Sequence, residues 1–123
     1  MRLILDSDPK LNTIRRYGPG EVVVGEQVLR GPCIISPARV IADWDARSAA
    51  TLAEPQLAPL LELRPAVILL GVPEGESGAP RSLIVSLQRR GVGVETMTLG
   101  AACRTYNVLV HEGRAAVAAL FPG

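Results

Sequence analysis

The spacing of apolar and polar positions changes character near residue 45. Upstream, the pattern is one of short strands and tight turns. Two apolar runs, residues 21–24 and 27–30, flank Gly25-Glu26. A two-residue Gly-X loop between β-branched runs predicts a hairpin with a type II′ turn. Before it, Tyr17-Gly18-Pro19-Gly20 closes a short extended segment that begins at about residue 12. After it, Gly31-Pro32 breaks the chain, and residues 33–36 form another strand. Ser36-Pro37-Ala38 turns again, and residues 39–43 extend with Val40 and Ile41 available for packing. Together these segments predict an antiparallel meander with one half-buried face.

Downstream, helical spacing takes over. Residues 46–65 read as a connector in which Leu57, Leu60 and Leu61 share a helical face. Pro55 suits a first turn, but Pro59 removes a backbone donor, so the helix is short and ends before Pro65. Residues 66–70 are continuously apolar, as in a strand buried on both faces. A glycine-containing loop, 71–79, leads to Pro80 and a helix whose inner face is Leu83, Ile84 and Leu87. Arg89 and Arg90 suit its carboxyl end, and Gly91 stops it. Residues 92–97 form the next strand. Thr98 is the expected N-cap of a helix reaching about residue 112. Its positions Leu99, Ala102, Cys103, Tyr106 and Val110 fall on one buried stripe. Gly113 stops this helix, and residues 114–121 are read as a third parallel strand completing βαβαβ. The expectation is one α/β domain over residues 1–123, with an antiparallel, hairpin-rich N-terminal part packed on a small βαβαβ layer.

Composition narrows the function classes. The chain has 123 residues, of which 48% are hydrophobic, so it can build a core without disulfides or a structural metal. Thirteen cations against twelve acids give a net charge of +1, which supplies no steering field for nucleic acid. Aromatic residues are 3% of the chain, too few for base-stacking platforms. Cys33 and Cys103 stand in apolar settings and are expected as buried thiols rather than a disulfide. The opening MRLILDSDPK has three consecutive apolar residues before Asp6, shorter than a secretory apolar region. The expectation is a cytoplasmic protein with no membrane insertion.

Chemistry-bearing residues are sparse. The loop 71–79 leaves a strand and enters a helix, a position that gathers ligands in open α/β sheets. Gly71 and Arg81 border it, but Glu74 and Glu76 oppose a phosphate, and neither dinucleotide nor phosphate-loop spacing is present. A plain surface turn explains the same glycines. In the later helix Arg104, Asn107 and His111 form a polar stripe that could hold a carboxylate or a partner backbone, or could serve only as a solvated face. Cys103 and His111 are too far apart on one helix for a thiolate and its base, about 12 Å along the axis. Asp43 and Asp45 flank Trp44, yet one histidine and two distant cysteines give no metal-ligand set. No catalytic residue, metal or cofactor is expected. The sequence favours a non-enzymatic protein-interaction domain with a protein partner. Its alternative is a small-molecule or anion-binding domain, or an enzyme, with a site at the carboxyl ends of strands 66–70 and 92–97, lined by Gly71, Arg81 and Arg104.

A family resemblance adds to this reading. The segment Thr98-Leu-Gly-Ala-Ala-Cys-Arg-Thr-Tyr-Asn107, followed by Glu112-Gly113-Arg114 and the Ala-rich 117–120, resembles the end of the Mth938-like domain family. Arg16-Tyr17-Gly18-Pro19-Gly20, Ser36-Pro37, Trp44, Arg64-Pro65, and Gly91-Val-Gly-Val-Glu95 with Met97 agree as well. The resemblance implies a three-layer β+α/β/α fold. It also implies kinship with a mitochondrial assembly factor for respiratory complex I that acts through protein partners. Many members follow the first parallel strand with Gly-Thr-Gly, whereas this chain has Gly71-Val72-Pro73. The second glycine of a possible anion cradle is therefore missing.

Overall fold

The computed structural model describes residues 11–123. The opening segment that bears on targeting, with Asp6 and Asp8, lies outside the described residues. Three strands, β1 (Ile14–Gly18), β2 (Glu21–Val24) and β3 (Gln27–Leu29), form a small antiparallel sheet in the order β1-β2-β3. The Pro19-Gly20 turn joins the first pair, with Gly20 at φ +79°, the value a type II turn needs at its third position. Gly25 takes φ +60° in the second hairpin while Glu26 does not, the sign pattern of the expected type II′ turn.

The predicted meander does not continue. β4 (Cys33–Ile35) and β5 (Val40–Ile41) leave the small sheet and join a second one, ordered β5-β4-β8-β6-β7. The reason lies in burial. Cys33, Ile34 and Ile35 are all fully buried, so this strand needs cover on both faces, which a half-exposed meander cannot supply. It pairs antiparallel with β8 (Ala116–Leu120), which is parallel to β6 (Val67–Val72). β6 is in turn parallel to the edge strand β7 (Gly93–Thr98).

Three helices cover the main sheet. α1 (Glu54–Leu61) follows a 3₁₀ turn at Ala49–Thr51, carries a proline in its first turn, and tolerates Pro59 inside only over eight residues. α2 (Arg81–Arg89) and α3 (Leu99–His111) are the crossover helices. The five stripe residues predicted for α3 are the five it buries. Thr98 stands at its N-cap, but the hydroxyl makes no cap hydrogen bond, contrary to the role expected of it. Arg64 takes φ +52°, a left-handed residue that ends the turn after α1, and Pro65 behind it disfavours helix at the same position.

Alternation along each strand divides the interior into two cores. Cys33, Ile35, Leu69, Ala116, Ala118 and Leu120 face α3 and the small sheet. Ile34, Ile68, Leu70, Val72, Val117 and Ala119 face α1, α2 and Trp44. The layers are therefore small sheet plus α3, main sheet, and α1 plus α2. Trp44 packs on Phe121 with ring centroids 5.3 Å apart and donates its indole N–H to the Gln56 carbonyl at 3.0 Å. The Ala-rich β8 is central because small residues admit α3 closely. At Gly71 in β6, a Cβ would lie 2.8 Å from the Ala102 Cβ and 2.8 Å from the Leu120 Cδ2.

Candidate functional site at the carboxyl ends of the parallel strands

The chain leaves β6 toward α2 on one face and leaves β7 toward α3 on the other. Adjacent strands whose connections diverge in this way open a crevice at their carboxyl ends. Here the crevice is a concavity of about 430 Å³. Val72, Pro73 and Glu74 border it after β6, and Thr98, Leu99 and Gly100 border it at the start of α3. The β1–β2 turn supplies Tyr17, Gly18 and Pro19, and Pro122 closes the wall. That turn is fixed by the Gly20 N–H, which donates to the Pro122 carbonyl at 3.1 Å.

Tyr17 organises one side. Its ring lies on Gly100, where a Cβ would sit 2.8 Å from the Tyr17 Cε1. Glycine at this position is what allows the strand and the helix to meet. One turn further along α3, Arg104 donates to the Tyr17 hydroxyl, with its guanidinium carbon 6.0 Å from the ring centroid. The aromatic ring is thus held in place while 37% of the residue remains exposed.

The residues singled out from sequence have separate fates. Gly71 is buried beneath α3 and does not line the concavity. Arg81 is exposed on the first turn of α2, across the sheet from α3. Arg104 meets Tyr17. Asn107 turns inward, accepting the Ile14 N–H at 2.9 Å and donating to the Ile14 carbonyl at 2.9 Å. His111 is exposed near the end of α3. The stripe of three is therefore one structural amide between two exposed side chains, Arg104 and His111. Tyr17 and Gly100 were not read as site residues. The Tyr-Gly-Pro-Gly turn pointed only to a reversal of the chain, and nothing local places its ring against a helix 83 residues away.

Cys33 and Cys103 are free and buried in the same core. Burial pushes both thiols up to about 12; for Cys33 the nearby Cys103 adds to the rise, and for Cys103 the Arg104 guanidinium opposes it. Neither is a nucleophile at neutral pH. Tyr106, also buried, is raised by desolvation and donates its hydroxyl to the Asn12 carbonyl at 2.8 Å. Asp43 and Asp45 are exposed beyond the end of β5. Among the described residues no group of three His, Cys, Asp or Glu side chains is placed to hold a metal ion. Among them also, no helix is long and apolar enough to cross a membrane.

Known proteins share this architecture. A Xanthomonas campestris protein solved by NMR superposes with a TM-score of 0.84 at 33% identity, over 100% of this chain and 93% of that one. A Bordetella pertussis protein described as a Mth938-like domain gives 0.81 at 28% identity, over 99% and 92%. The human NADH dehydrogenase [ubiquinone] 1 alpha subcomplex assembly factor 3 is 32% identical over 105 residues, which is 84% of this chain. The chain spans 56% of that relative's length. The family described as protein of unknown function (DUF498/DUF598) matches residues 14–121. With its two sheets, its three layers and that match over almost all the described residues, the chain belongs to the DUF498/DUF598 family of Mth938-like domains.

Proposed function

We propose that this domain is a protein-interaction module with an assembly-factor-like role, which holds partner proteins during the building of a larger complex. The observation that carries the reading is the 32% identity to a named assembly factor across 84% of this chain. The partly exposed Tyr17 beside Arg104 supports it, since tyrosine and arginine are among the side chains that most often anchor protein interfaces. The test is removal of the protein from its source organism. Native electrophoresis should then show loss of one assembled multi-subunit complex while synthesis of its subunits continues. Unchanged complexes would overturn the reading.

A second reading rests on the concavity itself. A cleft of about 430 Å³ at the diverging ends of β6 and β7 has the size and position of a small-molecule site. Screening small carboxylates and nucleotides by NMR should shift Thr98, Leu99 and Gly100 first. Shifts confined to other surfaces would remove this reading.

A further inference from the structure

Charge in this chain is balanced overall, and in the layer of the small sheet and α3 the carboxylates Glu21, Glu26 and Glu112 stand on β2, on the β2–β3 turn and at the end of α3. α3 and β1 lie side by side, and neither contains a carboxylate. Between them they carry Arg15, Arg16, Arg104 and His111, all exposed. Among the described residues the ion pairs lie elsewhere: Arg30 with Glu21 at 3.2 Å and Arg90 with Glu54 at 3.5 Å. Arg15 instead donates to the Gly25 carbonyl at 2.8 Å, and Arg104 donates to the Tyr17 hydroxyl. Both guanidinium groups are therefore oriented by neutral oxygens. Their charge is left without an ion-pair partner among the described residues.

Exposed apolar surface collects in the same layer. The large hydrophobic side chains more than a third exposed among the described residues are Tyr17, Val28 and Val108, at 37%, 40% and 55%. Val108 stands one turn from Arg104 and three residues before His111 on α3. Across the small sheet Arg16 pairs with Val23, which pairs with Val28, so the exposed Arg16 and Val28 lie on one face with the buried Val23 between them. The layer of α1 and α2 exposes no side chain of this kind among the described residues.

We infer that the β1–α3 face is a docking surface for an acidic protein segment bearing an apolar side chain, with Arg104, Tyr17 and Val108 at its centre. The inference rests on the protein-interaction reading above and names the chemistry of the partner. Oriented guanidinium forks match carboxylates in geometry as well as charge. Tyr17 and Val108 supply apolar area between them. Three arginines fall short of the basic clusters of about four to eight that hold proteins on anionic lipid. That count favours a protein segment over a membrane surface.

The test uses the full chain, isotopically labelled, and a synthetic peptide of alternating glutamate and leucine, followed by NMR. Shifts should concentrate in residues 14–18 and 99–111. Raising salt from roughly 50 to 300 mM should weaken binding several-fold, as for any interface with a large screened charge component. Arg16→Gln with Arg104→Gln should weaken it about tenfold while thermal unfolding stays near the parent value. Val108→Ser should weaken it without changing the salt dependence. A lysine–leucine peptide binding equally well would overturn the inference. So would shifts centred on α1 or α2, no shifts at all, or capture by vesicles containing phosphatidylglycerol where the acidic peptide fails. Rescue of the deletion strain by the Arg16→Glu, Arg104→Glu variant would defeat this surface but leave the assembly role standing. A deletion strain with intact complexes would defeat the role, and the peptide titration would still report on the surface.

Discussion

Asn107 completes the open edge of β1 through Ile14. Its side-chain amide accepts from the Ile14 N–H and donates to the Ile14 carbonyl, both at 2.9 Å, as the backbone of a neighbouring strand would. The pairing falls where β1 is irregular, because its register against β2 shifts between Ile14 and Arg16. An amide is the side chain that presents a donor and an acceptor in this spacing. It joins α3 to the small sheet and satisfies both backbone groups of one residue.

Asn107→Ala should therefore cost about 1–3 kcal/mol, since it strands two partly buried backbone groups. Asn107→Asp should cost at least as much, because it loses the donor facing the Ile14 carbonyl. Chemical denaturation gives the magnitude. Hydrogen exchange at the Ile14 amide should rise selectively in both variants, and an unchanged rate there would show that another group satisfies β1.

Gly71 and Gly100, which both lie at contacts of α3, should rank in order. Gly71→Ala sets a Cβ 2.8 Å from Ala102 and Leu120 and 3.4 Å from the Leu99 Cα, between a helix and its sheet. Its cost should approach about 3 kcal/mol. Gly100→Ala meets only the Tyr17 ring, and it gains up to about 1 kcal/mol of helix propensity. The second variant should be the milder one by thermal unfolding, with its spectral change confined to Tyr17 and Arg104. Equal costs would mean that Tyr17 cannot move.

Cys103 is 1% exposed and Cys33 is 0% exposed, so both should resist thiol reagents until the fold opens. Cys103→Ala should cost about 1 kcal/mol, and Cys103→Arg should prevent folding by burying an unpaired charge. Rapid labelling of the native protein at neutral pH would show that the helix phase is wrong.

Stability should fall on the alkaline side. Each buried thiol has its pKa raised from 9.0 to about 12, so the folded chain keeps protons that the unfolded chain releases. The unfolded state then binds fewer protons, and unfolding free energy decreases as pH rises from about 9 toward 12, by up to about 1.4 kcal/mol per pH unit for each thiol. Below about pH 8.5 the thiols add no slope. Tyr106, also raised, acts in the same sense above about pH 10. Urea unfolding of Cys33→Ala with Cys103→Ala should show a shallower alkaline decline than the parent, and an identical decline would assign it to other groups.

Local periodicity determined a large part of this molecule. The buried stripe of α3, the stops at Gly91 and Gly113, the turn at Gly25 and the buried run that became β6 are all properties of neighbouring residues. A helix or turn is selected by contacts within a few positions. Tertiary structure decided the rest. Whether residues 33–35 extend a meander or enter the main sheet depends on β8, more than 80 residues later. Their unbroken apolar run signalled two covered faces without saying what would cover them. Asn107 read as part of a polar stripe because helical spacing reports direction, not destination; its partner is 93 residues away. The same holds for Tyr17 and Arg104, separated by 87 residues. A sequence that sums to nearly zero charge gave no basic face, because folding lays β1 beside α3, two elements whose own residues include cations and no carboxylate. Strand pairing, side-chain bridges and surface charge are long-range quantities, fixed by which segments meet rather than by what each segment is.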